Sequence, residues 1–302
     1  MRALRSSLLV CALAAQSALA TETTDKTLAD PTRFGFYEDN FMLFNRMKNN
    51  GWAGNDESAI RAHYSLRYVL FGRGSYDAFL SYTGEFDFYM GTRPSGPVIN
   101  RKSNPALHVR WTLPQAWRKA SYADYAEIGI EHSSDGQTTE VTDSADAAIA
   151  QRAYKLKNRA FFDQISRGSN FVSVAAHFSD GTPSPLFAHA TVRFYLNQDS
   201  AVTWGPLAGT GTRLSDYNRL TLRLGQQTWL GKFEAQWIVG DNGFKTDSFE
   251  LGWEKTVLSL PVYVRLHRGP LNTLSNYTQR QDSIGIGLRF HSLMDAPAWS
   301  AH

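Results

Sequence analysis

The chain reads as all-β, a 12-stranded antiparallel transmembrane β-barrel with a helical insertion in one extracellular loop, and three observations predict this. Apolar residues recur at every second position through segment after segment, the period of a strand with one oily face. Charged residues stand in mid-strand on the opposite parity, at Arg193, Arg223, Glu250, Arg265 and Arg289, where a polar lumen accommodates them. Connections alternate in length: 179–185 is short, 197–217 long, 230–232 very short and 268–282 long. A soluble sandwich shows the same alternation of faces, so the loops and the mid-strand charges are what favour a membrane barrel.

The elements follow in order. Two arginines in the first five residues, an apolar run over 8–15 and the small-x-small triplet Ala18-Leu19-Ala20 mark residues 1–20 as a signal peptide, leaving 21–302 as the barrel domain. The single cysteine, Cys11, leaves with it, which excludes disulfides and thiolate-bound metals. Strands are expected at 41–47, 63–72, 76–90, 106–113 and 122–134. Residues 142–165 carry Ala145, Ala147, Ala148 and Ala150 with few turn formers, a helix-forming composition. Strands resume at 170–179, 186–196, 217–229, 232–240, 246–257, 260–267 and 280–290, and 292–302 is a tail. Asp241-Asn242-Gly243 is a turn signal, and Trp229, Trp253, Tyr263 and Phe290 are candidates for interfacial girdles. Lys and Arg number 31 against 28 Asp and Glu, so no basic excess invites nucleic acid.

Chemistry concentrates at the end of one strand. Ala126, Ile128 and Ile130 define its oily face, and the next residues of that parity are His132 and Ser134. A general base and a hydroxyl nucleophile two positions apart on one face suit acyl transfer. On the following strand Val172, Val174, Ala176 and Phe178 are oily, and Asn170 shares their parity, so an antiparallel pairing brings its amide toward His132. An amide there orients the imidazole and selects its tautomer. Three such groups on the lipid-facing parity imply a substrate that arrives through the membrane.

His132-Ser133-Ser134-Asp135-Gly136 resembles the His-x-Ser-Asn-Gly motif of the outer membrane phospholipase A family, and Ser166-Arg167-Gly168-Ser169-Asn170 resembles that family's Ser-Arg-x-x-Asn. Ser81-Tyr82-Thr83, Ser95-Gly96-Pro97 through Arg101, and Asn276-Tyr277 followed by 281–290 extend the likeness over most of the chain after the signal. The resemblance implies a bacterial outer-membrane enzyme that hydrolyses acyl esters of phospholipids at its extracellular side, uses Ca²⁺ and is active as a homodimer. It implies His132 as general base, Ser134 as nucleophile, Asn170 as orienting group and Gly136 N–H as an oxyanion donor. Calcium ligands would be Ser166, the main-chain carbonyl of Gln137 and, across a dimer, Ser95. Asp135 and Gln137 depart from the family's Asn and Arg, and the 142–165 insertion lengthens the His-to-Asn spacing and offers Asn158 as a rival third member. The alternative from another class is a channel or structural barrel with a decayed triad, and a nearer one is an acyl hydrolase acting on another lipid, such as a lipid A deacylase.

Other signals carry less. His177 is expected to face the lumen, and His189 and His267 lack a clustered partner, so no zinc site is expected. No helix follows the Gly285 and Gly287 pair, which excludes a dinucleotide site.

Overall fold

The computed structural model describes residues 33–49, 57–91, 98–136, 164–180, 185–196, 213–274 and 277–290, with 148–149, 152–153, 156 and 161 between them. The chain divides into two compact units at Arg33, and the second, Phe34–His302, holds the sheet. Its strands are β1 (Phe34–Phe36), β2 (Asn40–Asn49), β3 (Glu57–Arg73), β4 (Tyr76–Tyr89), β5 (Ile99–Thr112), β6 (Ala123–Ser134) and β7 (Gly168–Ser179). They continue as β8 (Leu186–Tyr195), β9 (Leu220–Thr228), β10 (Gly231–Gly240), β11 (Gly243–Val257), β12 (Leu260–Gly269) and β13 (Gln281–Phe290). Each neighbour in sequence from β2 onward pairs antiparallel, and β13 returns to β2 with Ile286 opposite Phe44. Strands β2–β13 thus form a closed 12-stranded barrel without an unpaired edge. The extra strand β1 lies outside this ring on β3, with Phe34 opposite Tyr68.

All twelve expected strands are present. The largest differences are at β3, which begins at Glu57 rather than 63, and β5, which begins at Ile99 rather than 106. The added part of β5 reads Asn100-Arg101-Lys102-Ser103-Asn104, polar on both faces, so hydrogen bonding to its neighbours makes it a strand where no period announces one. A short helix, α1 (Gln115–Ser121), occupies the β5–β6 connection. Within the expected insertion, 148–149 and 152–153 are helical and Leu156 N–H donates to Arg152 O at 3.0 Å. Apart from Phe161, Gln164 and Ile165, the remainder of that excursion lies outside the described residues, as do the 1–20 segment and the 292–302 tail. Among the described residues no helix is long and apolar enough to cross a membrane.

The face assignment holds. Ile128, Ile130, Leu251, Ile284 and Ile286 are exposed on the outside of the ring, while Glu127, Ser173, Arg265 and Arg289 are buried within it. Such an inversion of the ordinary core is stable only where lipid replaces water around the outside. Tyr263 corrects one expectation: it is 7% exposed and points into the lumen, where Arg289 sits 4.6 Å from its ring centre. It shares the parity of Arg265, so it belongs to no girdle. Trp229, 84% exposed in the β9–β10 turn, and Phe290 do lie outside.

Ion pairs fill the lumen. Arg61 binds Asp87 with both Nε and Nη2 at 2.7 Å and reaches Asn272 at 2.8 Å. The segment after β1 turns inward, so that Tyr37 donates to Glu127 at 2.6 Å while Asp39 meets Arg223 and Arg289. Arg61, Asp87, Asp39, Arg223 and Arg289 are thus each met by an opposite charge, which offsets the cost of taking them out of water. His177 faces this interior as expected. His189 and His267, however, are not isolated: His189 pairs with His177 across β7–β8 and lies 3.1 Å from Thr191 Oγ1, and His267 Nδ1 is 2.9 Å from Glu250. Among the described residues no group of three acidic, histidine or cysteine side chains is arranged to hold a metal.

The connections at one end are short, apart from the helical β5–β6 one, and those at the other mostly long. One exception sits at the long-loop end, where β10 and β11 are joined through Asp241-Asn242 with Gly240 opposite Gly243. The loop before β9 packs onto this turn, Asp241 N–H donating to Ser215 O at 2.8 Å. A side chain at Gly240 would stand 2.0 Å from the Asp216 carbonyl, so only glycine admits that approach.

Candidate active site

The site is built where β6 and β7 leave the barrel at the long-loop end. Their register places His132 directly opposite Asn170 and Ser134 opposite Gly168. His132 is exposed on the outer surface while Glu131 and Ser133 turn to the lumen, the parity that the run Ala126, Ile128, Ile130 dictates. His132 Nδ1 lies 2.7 Å from Asn170 Oδ1. Because an amide oxygen only accepts, Nδ1 carries the proton and Nε2 is left with a lone pair. That is the tautomer a general base requires.

Ser134 is next to the imidazole rather than bonded to it. A methyl group at Gly168 would lie 3.6 Å from His132 Cε1 and 3.8 Å from Ser134 Cβ, so the ring leans along the strand toward the serine over a glycine that leaves the space open. On its other flank Ser134 faces Ser103 of β5, whose hydroxyl donates to Tyr82 at 2.9 Å. This outward hydroxyl pair was not singled out from the sequence, although the parity of Leu107 and Val109 carried back along β5 reaches Ser103.

Beyond Ser134 the chain turns. Asp135 has the inward parity, is fully buried and accepts the Arg167 backbone N–H at 2.7 Å, while its own N–H donates to Arg167 O at 3.0 Å. Its carboxylate therefore ties the two strands together and points away from Ser134. Burial pushes the Arg167 guanidinium down from its ordinary pKa, opposed by Tyr277 and Asp135. The Tyr277 ring centre is 5.3 Å from that guanidinium, and burial raises the Tyr277 phenol well above its usual range. Gly136 adopts φ +53°, a left-handed conformation that favours glycine, and its carbonyl accepts Arg101 Nη2 at 2.7 Å. Among the described residues nothing accepts a hydrogen bond from Gly136 N–H.

Of the three candidate calcium ligands, Ser166 is described and half-buried at the rim two residues before Gly168, whereas Ser95 and Gln137 lie outside the described residues. Asn158 lies outside them too. The donor set of two hydroxyls and a carbonyl consists of hard neutral oxygens, chemistry that suits Ca²⁺.

No protein-family model matches the chain, and no curated protein sequence matches it. Solved structures do. Outer membrane phospholipase A of Escherichia coli superposes with a TM-score of 0.62 at 14% identity, over 90% of this chain and 95% of that one. An active-site asparagine-to-alanine mutant of the same enzyme gives a TM-score of 0.64 at 14% identity, covering 89% and 95%. The outer membrane phospholipase of Salmonella typhi, a dimer with bound calcium, gives a TM-score of 0.64 at 16% identity over 87% and 94%. The chain has the 12-stranded barrel fold of outer membrane phospholipase A.

Proposed function

We propose that this chain is an outer-membrane phospholipase that hydrolyses acyl esters with Ser134, His132 and Asn170. The observation that carries the reading is the 2.7 Å contact between His132 Nδ1 and Asn170 Oδ1 on the apolar outer surface of the barrel. A buried enzyme core would hide such a pair; here it faces outward at the rim, where a lipid of the bilayer and water both reach it. That the mutated active-site residue of the Escherichia coli structure is an asparagine supports the assignment of Asn170.

In this reading His132 Nε2 accepts the Ser134 proton as Oγ attacks an ester carbonyl, and the protonated imidazole then delivers that proton to the leaving alcohol. Water hydrolyses the resulting acyl-enzyme by the same route. Asn170 holds the imidazole but adds no negative charge to stabilise it. Gly136 N–H, free of any described acceptor, is the donor aimed at the developing oxyanion, and such stabilisation is worth about 3–4 kcal/mol per donor. Ser166, Gln137 and Ser95 would hold Ca²⁺, which when bound supplies further positive charge to the oxyanion. A dimer in which Ser95 comes from the second copy, a signal peptide over 1–20 and an extracellular position for the long-loop end complete the proposal. The ion pairs across the lumen weigh against a channel.

Fatty-acid release from a diacyl phospholipid in detergent micelles tests it. Wild-type protein with calcium is expected to turn over; Ser134→Ala and chelation are each expected to abolish release, and Asn170→Ala to slow it at least tenfold. A folded wild-type barrel that releases no fatty acid with calcium present would falsify the lipase reading. Release from lipid A but not phospholipid would reassign the substrate.

A further inference from the structure

Arg101 is exposed on the outer parity of β5, shared with Ser103, Leu107 and Val109. The β5–β6 register that sets Ser103 opposite Ser134 continues past the last ladder pair to set Arg101 opposite Gly136, and the bond from Arg101 Nη2 to Gly136 O bears this out. Arg101 thus stands one outward position, about 7 Å along the strand, beyond Ser103, the residue opposite Ser134, and its guanidinium is held at Gly136 O. Among the described residues the outward neighbours of Ser134 are the neutral Ser103, Tyr82, Asn170, Gly168 and Gly136 together with His132, so Arg101 supplies the permanent cation of the described patch. One of its five N–H groups is committed to Gly136, which fixes the plane of the fork and leaves the others to a ligand.

We propose that Arg101 reads the headgroup, binding the phosphate of a glycerophospholipid whose ester carbonyl lies at Ser134. The proposal rests on the lipase reading and names what that site selects. In a glycerophospholipid five bonds for the sn-2 ester, or six for the sn-1 ester, about 6–7 Å extended, separate the reacting carbonyl carbon from phosphorus, close to the spacing of one outward position along the strand. A planar guanidinium held at one edge matches two phosphate oxygens at once, which a neutral diacylglycerol lacks. Acyl chains then lie along Ile130, Ile128 and Val174 toward the middle of the belt, while the phosphate stays at the rim.

The test uses lipids that cannot be hydrolysed, so that it does not depend on turnover. Binding of a dialkyl ether phosphatidylcholine and of the matching dialkylglycerol is measured by calorimetric titration of the full barrel in maltoside micelles. Wild type is expected to prefer the phosphate-bearing lipid, Arg101→Gln to lose about tenfold of that preference, and Arg101→Lys to fall between. Arg46→Gln removes another exposed rim cation, three strands away on β2, and is expected to keep the wild-type preference. An unchanged preference in Arg101→Gln overturns the proposal, as does an equal loss in Arg46→Gln, which would make the effect one of rim charge in general. If Arg101→Gln weakens both lipids alike, Arg101 only props the Gly136 turn and the headgroup role is overturned. Hydrolysis of diester phospholipid, run in parallel, reports on Ser134 alone, so the two readings fail separately.

Discussion

At the scale of single residues, the side chains of the site are sorted by strand parity. His132 and Ser134 go to the outer face and Ser133 and Asp135 to the interior, so Asp135, adjacent in sequence to Ser134, turns away from it. What Asp135 does is accept the buried Arg167 N–H through Oδ1. Asparagine offers the same oxygen. Asp135→Asn is therefore expected to hydrolyse lipid within about twofold of wild type, whereas Asp135→Ala strands a buried donor at a cost of about 1–3 kcal/mol. Thermal unfolding followed by the gel shift of heat-denatured barrel, beside the lipase assay, checks both. Equal damage from the two substitutions would give the charge, not the hydrogen bond, the leading role.

At the scale of elements, the site is held by what caps the long-loop end. Leu214, Tyr217 and Tyr277 form a small buried cluster flanked by Tyr195, Leu271 and Leu274, and Tyr217 meets Tyr277 edge-on at 5.2 Å. Arg167 rests on Tyr277, and through the Arg167–Asp135 clamp this cluster steadies the start of β7 and the end of β6. Tyr277→Ala is expected to cost about 3–5 kcal/mol, as for truncation of a large buried ring. The loss should appear as earlier cleavage by added protease at the loops and as a lowered kcat, with the strands intact by circular dichroism. Unchanged proteolysis and kcat would show that the clamp stands without the cluster.

At the scale of the whole molecule, the barrel is turned inside out relative to a water-soluble domain. Leu251 lies near the middle of β11, opposite Ala235 and Leu266, and is 43% exposed. In a bilayer an arginine at that depth costs about 2–4 kcal/mol, whereas on a water-bathed surface it costs almost nothing. Leu251→Arg is thus expected to lower the urea midpoint of the barrel refolded into phospholipid vesicles. Wild-type stability in vesicles would remove the membrane from the account. Inside, Arg223 and Arg289, two of the charges that identify the lumen, meet Asp39 of the inward-turning segment after β1, and Arg61 reaches Asn272, so charged and polar side chains fill the space.

Much of this was legible in the sequence because a strand repeats every two residues whatever surrounds it: the twelve segments, the inward charges and the outward placement of His132, Ser134 and Asn170 follow from counting. Where both faces are polar, as in 100–104, the count has nothing to register, so neither the first half of β5 nor the outward placement of Arg101 and Ser103 on it follows from the period. Tyr263 was misassigned for another reason, since aromatic character outweighed its parity. Period two determines which face a residue takes but not its neighbour across the gap, because register depends on turns and on pairing along the full length of two strands. Only the tertiary structure set His132 opposite Asn170, turned Asp135 onto Arg167 and carried Arg101 to Gly136, since each of these contacts joins residues that adjacent strands alone bring together.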